Sequence, residues 1–129
     1  MSYGKTIEID LPMETAVPKV KEAFKLQGFG TLTEIDMAAT LKEKIGQVID
    51  PYVILGMCNP NLASQALAVE IQIGLLLPCN VVVRRQDART LVEALDPAVM
   101  VGVPDNEMMR PIAEDAGASI DRALEALVR

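Results

Sequence analysis

The sequence predicts a two-layer α/β (or α+β) domain in which a mixed β-sheet packs against helices. Segments with the residue alternation of strands recur along the chain, and the early ones are separated by segments with helical spacing. Later, three apolar segments follow one another with short turns and no helix between them. We therefore expect the order β-α-β-α-β-α-β-β-β-α, with residues 1–129 forming a single domain.

The first strand and helix are predicted from alternation and from capping residues. KTIEIDL (5–11) alternates apolar and polar residues, as a half-buried strand does. The following helix has apolar residues at helical intervals from Ala16 to Phe24. Thr15 is its predicted N-cap, Pro18 then lies in the first turn, and Gly28 suits a left-handed stop.

In each of the next two strand–helix pairs, the residue between the strand and the helix is a predicted helix cap. GTLTEI (30–35) reads as a strand, and Asp36 caps the helix MAATLKEKI that follows it. YVILGMC (52–58) is almost continuously apolar, which predicts a central strand covered on both faces. Asn59 then caps a helix that has Pro60 in its first turn.

The second half of the chain is predicted as a meander followed by a long helix. The helix after Pro60 carries small residues that allow close approach, namely Ala63, Ser64, Ala66 and Ala68, while IQIGLLLP is ambiguous between strand, turn and helix. CNVVVRRQ (79–86), TLVEAL (90–95) and AVMVGV (98–103) are predicted to be three strands joined by short turns. The last helix begins near Asp105 or Pro111.

Composition narrows the classes of partner. Half of the 129 residues are apolar, which is enough for a substantial core, but aromatic residues amount to two Phe and two Tyr. The net charge of -6 argues against nucleic acid and anionic membranes, both of which need a basic surface. No apolar run approaches the roughly 18 residues of a membrane span. A polar N-terminus and two cysteines favour the reducing cytoplasm.

Three segments of the chain resemble a known family. They are GFGTLTEIDMAATLKEKIG (28–46), YVILGMCNPNLASQALAVE (52–70) and IGLLLPCNVVV (73–83), and they are similar in order and spacing to the signature segments of domain of unknown function 302. The chain departs from that family at RRQDAR (84–89), where relatives tend to have acidic residues and a glycine turn. The resemblance implies a compact α/β fold and homodimers, and it implies no particular activity or cofactor.

The two cysteines are the main candidates for chemistry. Cys58 lies just before the predicted N-terminus of a helix, where unpaired N–H groups favour a thiolate, and the turn formed with Asn59 and Pro60 is a candidate ligand-binding position. The alternative is that Cys58 is a small buried hydrophobic residue at a strand end. Cys79 opens an apolar strand, and packing is the favoured interpretation there.

The sequence gives less support to a site built from carboxylates or to a metal site. Glu34 and Asp36 are two residues apart and share a face if the strand continues, so they are further candidate ligand-binding residues. Asp36, however, already serves as a predicted helix cap. The chain has no histidine, which removes the commonest neutral metal ligand and the usual base of a hydrolase, and we predict no metal site.

Two classes of function remain at this point. The favoured one is a homodimeric, non-catalytic binding or accessory module whose small ligand lies near the Cys58-Asn59-Pro60 turn. The alternative is a thiol-dependent protein with a sulfur-carrier, redox or metal-thiolate role, in which Cys58 acts with Cys79. The absence of an activating base and the surplus of apolar residues favour the first.

Overall fold

The computed structural model describes residues 2–129 and contains one five-stranded sheet. The strands are β1 (Gly4–Ile9), β2 (Gly30–Asp36), β3 (Tyr52–Cys58), β4 (Cys79–Gln86) and β5 (Arg89–Leu95). Their order across the sheet is β1-β5-β4-β3-β2, and every neighbouring pair is antiparallel. The prediction of a mixed sheet is therefore corrected, because no pair among the described strands runs parallel.

The helices lie between and after the strands. They are α1 (Met13–Lys25), α2 (Met37–Ile45), α3 (Pro60–Val69), the short α4 (Val99–Gly102) and α5 (Arg110–Leu127). Short 3-10 helices cover Ile71–Leu76 and Glu107–Met109, which settles the ambiguous segment after α3. The predicted α/β class is confirmed.

One face of the sheet carries the main core. Val53 and Leu55 of β3 are buried and stand directly opposite Val83 and Val81 of β4, as the period-two alternation of strands requires. Phe24 of α1 packs into the same cluster, and α1 and α5 contact each other. The buried face of α5 contributes Ile120, Ala123, Leu124 and Leu127.

A second apolar cluster lies beside the main core. It is formed by α3, the 3-10 segments, the start of β4, α4 and the first half of α5. Its members are Ala66, Ile73, Cys79, Met100, Val101, Met109, Ile112 and Ala113. Leu62 of α3 packs against both clusters. The start of α3 therefore marks the junction between the two.

The predicted strand 98–103 is wrong, because this segment contains the short helix α4. Asp96 accepts a hydrogen bond from the backbone N–H of Ala98 at 3.0 Å and Pro97 follows it, so the chain turns helically at that point. A third meander strand would also have no edge to join, since β1 already occupies the outer edge of β5. The turn instead buries Met100 and Val101 in the second cluster.

The start of α1 also differs from the prediction. The helix begins at Met13, with Pro12 as the extended residue before it and no side-chain cap. Thr15 therefore lies in the first turn and donates its backbone N–H to Pro12, so it is not the N-cap. Pro18 lies inside the helix and not in its first turn.

The helix ends predicted at Gly28 and Asp36 are confirmed. Gly28 follows α1 with a φ of 87°, and Gly46 ends α2 with a φ of 69°. Asp36 caps α2 by accepting the N–H of Ala39 at 2.9 Å. These ends are set by local hydrogen bonds, which is why the sequence predicts them well.

The RRQDAR segment forms a tight hairpin without glycine. Gln86 pairs with Arg89, and Asp87 takes the left-handed conformation with a φ of 56°. Aspartate tolerates this conformation because its short polar side chain bonds locally. Arg84 forms an ion pair with Glu93 on the neighbouring strand.

Candidate functional site

The Cys58-Asn59-Pro60 turn (the CNP turn) joins the end of β3 to the start of α3. The side chain of Asn59 accepts the backbone N–H of Leu62 at 3.2 Å, and Pro60 is the first helical residue, as predicted. β3 is antiparallel to both of its neighbours. Ligand sites at strand ends are typical of parallel sheets, so that argument for a ligand at the CNP turn does not apply to this antiparallel sheet.

A cavity of about 350 Å³ lies against the CNP turn. It is bounded by the ends of β3 and β4, one side of α3, and parts of α4 and α5. We call it the CNP cavity, and its lining residues are Phe29, Leu32, Met57, Cys58, Asn59, Leu62, Ala63, Ala66, Leu67, Leu77, Pro78, Cys79, Met100, Ile112 and Ala116.

Small residues leave this space open. Ala63 and Ala66 of α3 and Ala116 of α5 face the cavity, and none of them carries a side chain beyond Cβ that would fill it. The cavity lies where the two apolar clusters meet, since Met57 belongs to the first and Cys79 to the second. A gap of this size forfeits packing contacts that a larger side chain would provide.

The lining is almost entirely apolar. Among its fifteen residues, Asn59 is the one with an amide or charged side chain, and its oxygen is already engaged in capping α3. The other polar groups are the two thiols. The lining therefore presents carbon and sulfur atoms and offers few hydrogen-bonding groups.

The rim of the CNP cavity is exposed and apolar. Leu32 is 68% exposed and Leu67 is 37% exposed, and both line the cavity. The register between β2 and β3 shifts between Thr31 and Thr33, which is the signature of a β-bulge at Leu32. The bulge takes Leu32 out of the regular alternation and places it at the rim.

Both cysteines are free, and both line the CNP cavity. Cys58 is half-buried, whereas Cys79 is only 8% exposed. Burial, and to a smaller extent the nearby Cys58, raises the pKa of the Cys79 thiol above its ordinary value of 9.0. Cys79 is therefore neutral at pH 7 and a poor nucleophile, because the thiolate is the reactive form.

The two candidate carboxylates lie elsewhere. Glu34 and Asp36 line a broader cleft of about 640 Å³ between α1 and α2, which does not include the CNP turn. Glu34 forms an ion pair with Lys21, and Asp36 caps α2. The structure does not bring these side chains together with the cysteines, and both already have structural partners.

Across residues 2–129, no three carboxylate, thiol or imidazole side chains come together in a group that would hold a metal ion. The same residues include no helix that is long and apolar enough to cross a membrane.

Sequence reasoning missed most of the cavity lining. Met100 was hidden by the strand prediction for 98–103, and Ile112 and Ala116 were assigned simply to the core face of the last helix. A usable signal did exist in α3, where Ala63 and Ala66 leave one side of the helix without bulk.

Comparisons with known proteins agree with this fold. The sequence profile of the family described as "Domain of unknown function DUF302" matches residues 5–127. A solved structure described as an "uncharacterized conserved protein DUF302 from Bacillus stearothermophilus" is similar, with 27% identity and a TM-score of 0.92 over 98% of this chain and 99% of that chain. No curated protein matches the sequence. The chain belongs to the DUF302 family.

Proposed function

We propose that the protein is a homodimeric binding module whose ligand occupies the CNP cavity. The observation that carries the proposal is a cavity of about 350 Å³ with an apolar lining and an exposed leucine rim. Ligand sites of small molecules are typically about 300–1,000 Å³ and mostly apolar, with few polar groups. The apolar rim supports this use. Contact between the exposed Leu32 side chain and water is unfavourable, and an apolar ligand would replace part of that contact.

Occupation of the CNP cavity can be tested with a small neutral fluorophore. We expect 1-aminoanthracene to bind with enhanced fluorescence, and we expect Ala63→Leu to weaken binding because the added side chain fills the space. Ala39→Leu is the matched control, since Ala39 lies on α2 outside the cavity and is exposed. Equal binding by the wild type and Ala63→Leu would place the probe elsewhere and contradict the proposal.

Exposed apolar side chains support the homodimer. Ile45 and Val48 near the end of α2 are 68% and 79% exposed, and Ile71 and Leu75 after α3 are 78% and 82% exposed. Apolar surface of this kind is commonly buried against a second copy in homodimers. Light scattering at micromolar concentration should give the mass of two chains, and the mass of one chain would contradict the assembly. Two free thiols further favour a cytoplasmic location, where thiols stay reduced.

A second candidate function is thiol chemistry at Cys58. The observation in its favour is that Cys58 is half-buried beside the N-terminus of α3 and shares the CNP cavity with Cys79. Labelling of the native protein with iodoacetamide, resolved by peptide mass spectrometry, tests it directly. The thiol role requires Cys58 to label quickly in the native protein, because a reactive cysteine must be accessible and activated. Failure of Cys58 to label before unfolding would exclude this candidate and leave the binding module.

A further inference from the structure

Four sulfur-bearing side chains line the CNP cavity: Met57, Cys58, Cys79 and Met100. The sequence contains two cysteines and seven methionines. Since fifteen of the 129 residues line the cavity, an even distribution would place about one of these nine residues there. Four are present, so sulfur is concentrated at this cavity.

The fold directs the four residues to one space from two sides. Met57 of β3 stands directly opposite Cys79 of β4, and side chains that are opposite in an antiparallel pair have Cβ atoms about 4.5–5.5 Å apart. Cys58 is the next residue of β3, and Met100 packs in the same apolar cluster as Cys79. The two strand ends and α4 thus bring thiols and thioethers to a common cavity.

One of the thioethers is held in place by a hydrogen bond. The hydroxyl of Thr31 donates to Sδ of Met57 at 3.3 Å. Met57 is 1% exposed, so this bond is shielded from water. A thioether sulfur has two lone pairs, and the one that Thr31 does not use stays free for another partner.

We propose that this group of sulfur-bearing side chains forms a site for a soft monovalent metal ion of the Cu(I) class, with one thiolate and the two thioethers as its donors. The inference goes beyond the proposed function, because it assigns a metal ion to the sulfur-bearing wall of the same cavity. Thiolate and thioether donors select Cu(I) over hard cations, which prefer oxygen ligands. The cavity offers no carboxylate, and the chain has no histidine.

Charge balance favours a monovalent ion over Zn²⁺. When Cu(I) binds, one thiol loses its proton to solvent, an S–Cu bond replaces the S–H bond, and the copper keeps its oxidation state. One thiolate and one Cu(I) form a neutral unit, and the two thioethers contribute neutral lone pairs, while the second thiol keeps its proton and does not ligate the ion. A neutral unit suits an apolar cavity, whereas Zn²⁺ with the same single thiolate would leave a net charge there that is costly to bury.

The site can be tested by anaerobic competition for Cu(I) against bathocuproine disulfonate, using the full chain with both thiols reduced. The wild type should take one Cu(I) per chain, and the Cys58→Ala/Cys79→Ala variant should take none. Met57→Leu and Met100→Leu should each weaken binding by about tenfold or more, because each removes one donor. Met109→Leu is the matched control, since Met109 is fully buried in the second cluster but does not line the cavity.

Spectroscopy and stability measurements complete the test. X-ray absorption at the copper edge should show sulfur neighbours alone, at least three of them, and thermal unfolding should show that the Met→Leu variants remain folded. Wild-type uptake no greater than that of the double-cysteine variant would overturn the site. Equal affinity of Met57→Leu, Met100→Leu and Met109→Leu would overturn it as well. If 1-aminoanthracene occupies the cavity and Cu(I) does not bind, the proposed function stands and the sulfur site falls.

Discussion

Gly28 and Asn59 lie against each other, so the end of α1 abuts the CNP turn. A Cβ atom placed on Gly28 would lie 3.0 Å from the side-chain nitrogen of Asn59. The same Asn59 side chain caps α3 through its oxygen. The position of α3, and with it one wall of the CNP cavity, is therefore coupled to the glycine that ends α1.

Gly28→Ala should destabilise the protein by about 1–2 kcal/mol. The substitution places a side chain at a φ of 87° and crowds the amide that caps α3. Chemical denaturation measures the change, and Gly30→Ala is the control, because a Cβ at Gly30 meets nothing within 4 Å. Equal stability of the two variants would contradict the coupling.

Gly56→Ala should destabilise the protein by about 1–3 kcal/mol through overpacking. A Cβ on Gly56 would overlap Oγ1 of Thr33 and lie 2.8 Å from Cγ of Pro78. Adding Thr33→Ala should recover part of the loss and not all of it, because the contact with Pro78 remains. Gly74→Ala serves as the control, since open space surrounds that position. If Gly56→Ala is as stable as the control, the close contacts with Thr33 and Pro78 do not make glycine necessary at this position, and the prediction is contradicted.

Thr90→Val should cost about 1–3 kcal/mol although it preserves the side-chain shape. Thr90 is fully buried, its hydroxyl donates to the carbonyl of Leu11 at 2.5 Å, and it accepts from Nη1 of Arg85 at 2.7 Å. The substitution leaves both partners without this bond. Urea unfolding should show a much smaller effect for Thr6→Val, whose hydroxyl bonds to Glu93 in an exposed position. Comparable losses at the two sites would contradict the importance of burial.

Stability should fall at alkaline pH through Cys79. Burial raises the pKa of this thiol in the folded state above the ordinary value of 9.0, so the unfolded chain loses the proton first. The stabilisation from the neutral thiol is complete below pH 9.0 and is lost as pH rises from there through the raised folded pKa. Denaturation of the wild type and of Cys79→Ala across this range should show the wild type losing stability more steeply. Parallel curves would contradict the assignment.

The parts of the fold that depend on neighbouring residues were predictable from the sequence. Asp36 and Asn59 were identified as helix caps because the capping residue and its N–H partner are three positions apart. The central position expected for β3 also holds in part, since β3 lies between β2 and β4. Alternation, capping and glycine stops are local signals.

The parts that depend on distant residues were not predictable. The segment 98–103 is rich in valine and has the composition of a strand, yet β1 occupies the edge that it would need. The paired residues of β1 and β5 are far apart along the chain, as the pairing of Gly4 with Leu95 shows. No local sequence pattern reveals such a pairing. The CNP cavity likewise requires Ala63, Met100 and Ala116 to meet, and their separation along the chain hides that meeting.

The most direct test of the account is NMR of the methionine ε-methyl groups during a titration with 1-aminoanthracene. Met57 and Met100 line the CNP cavity, Met13 lines the cleft between α1 and α2, and Met109 is buried and lines neither. If the CNP cavity is the binding site, the signals of Met57 and Met100 shift and saturate together while those of Met13 and Met109 stay in place. A shift of Met13 alone, or no shift of Met57 and Met100, would contradict the central claim.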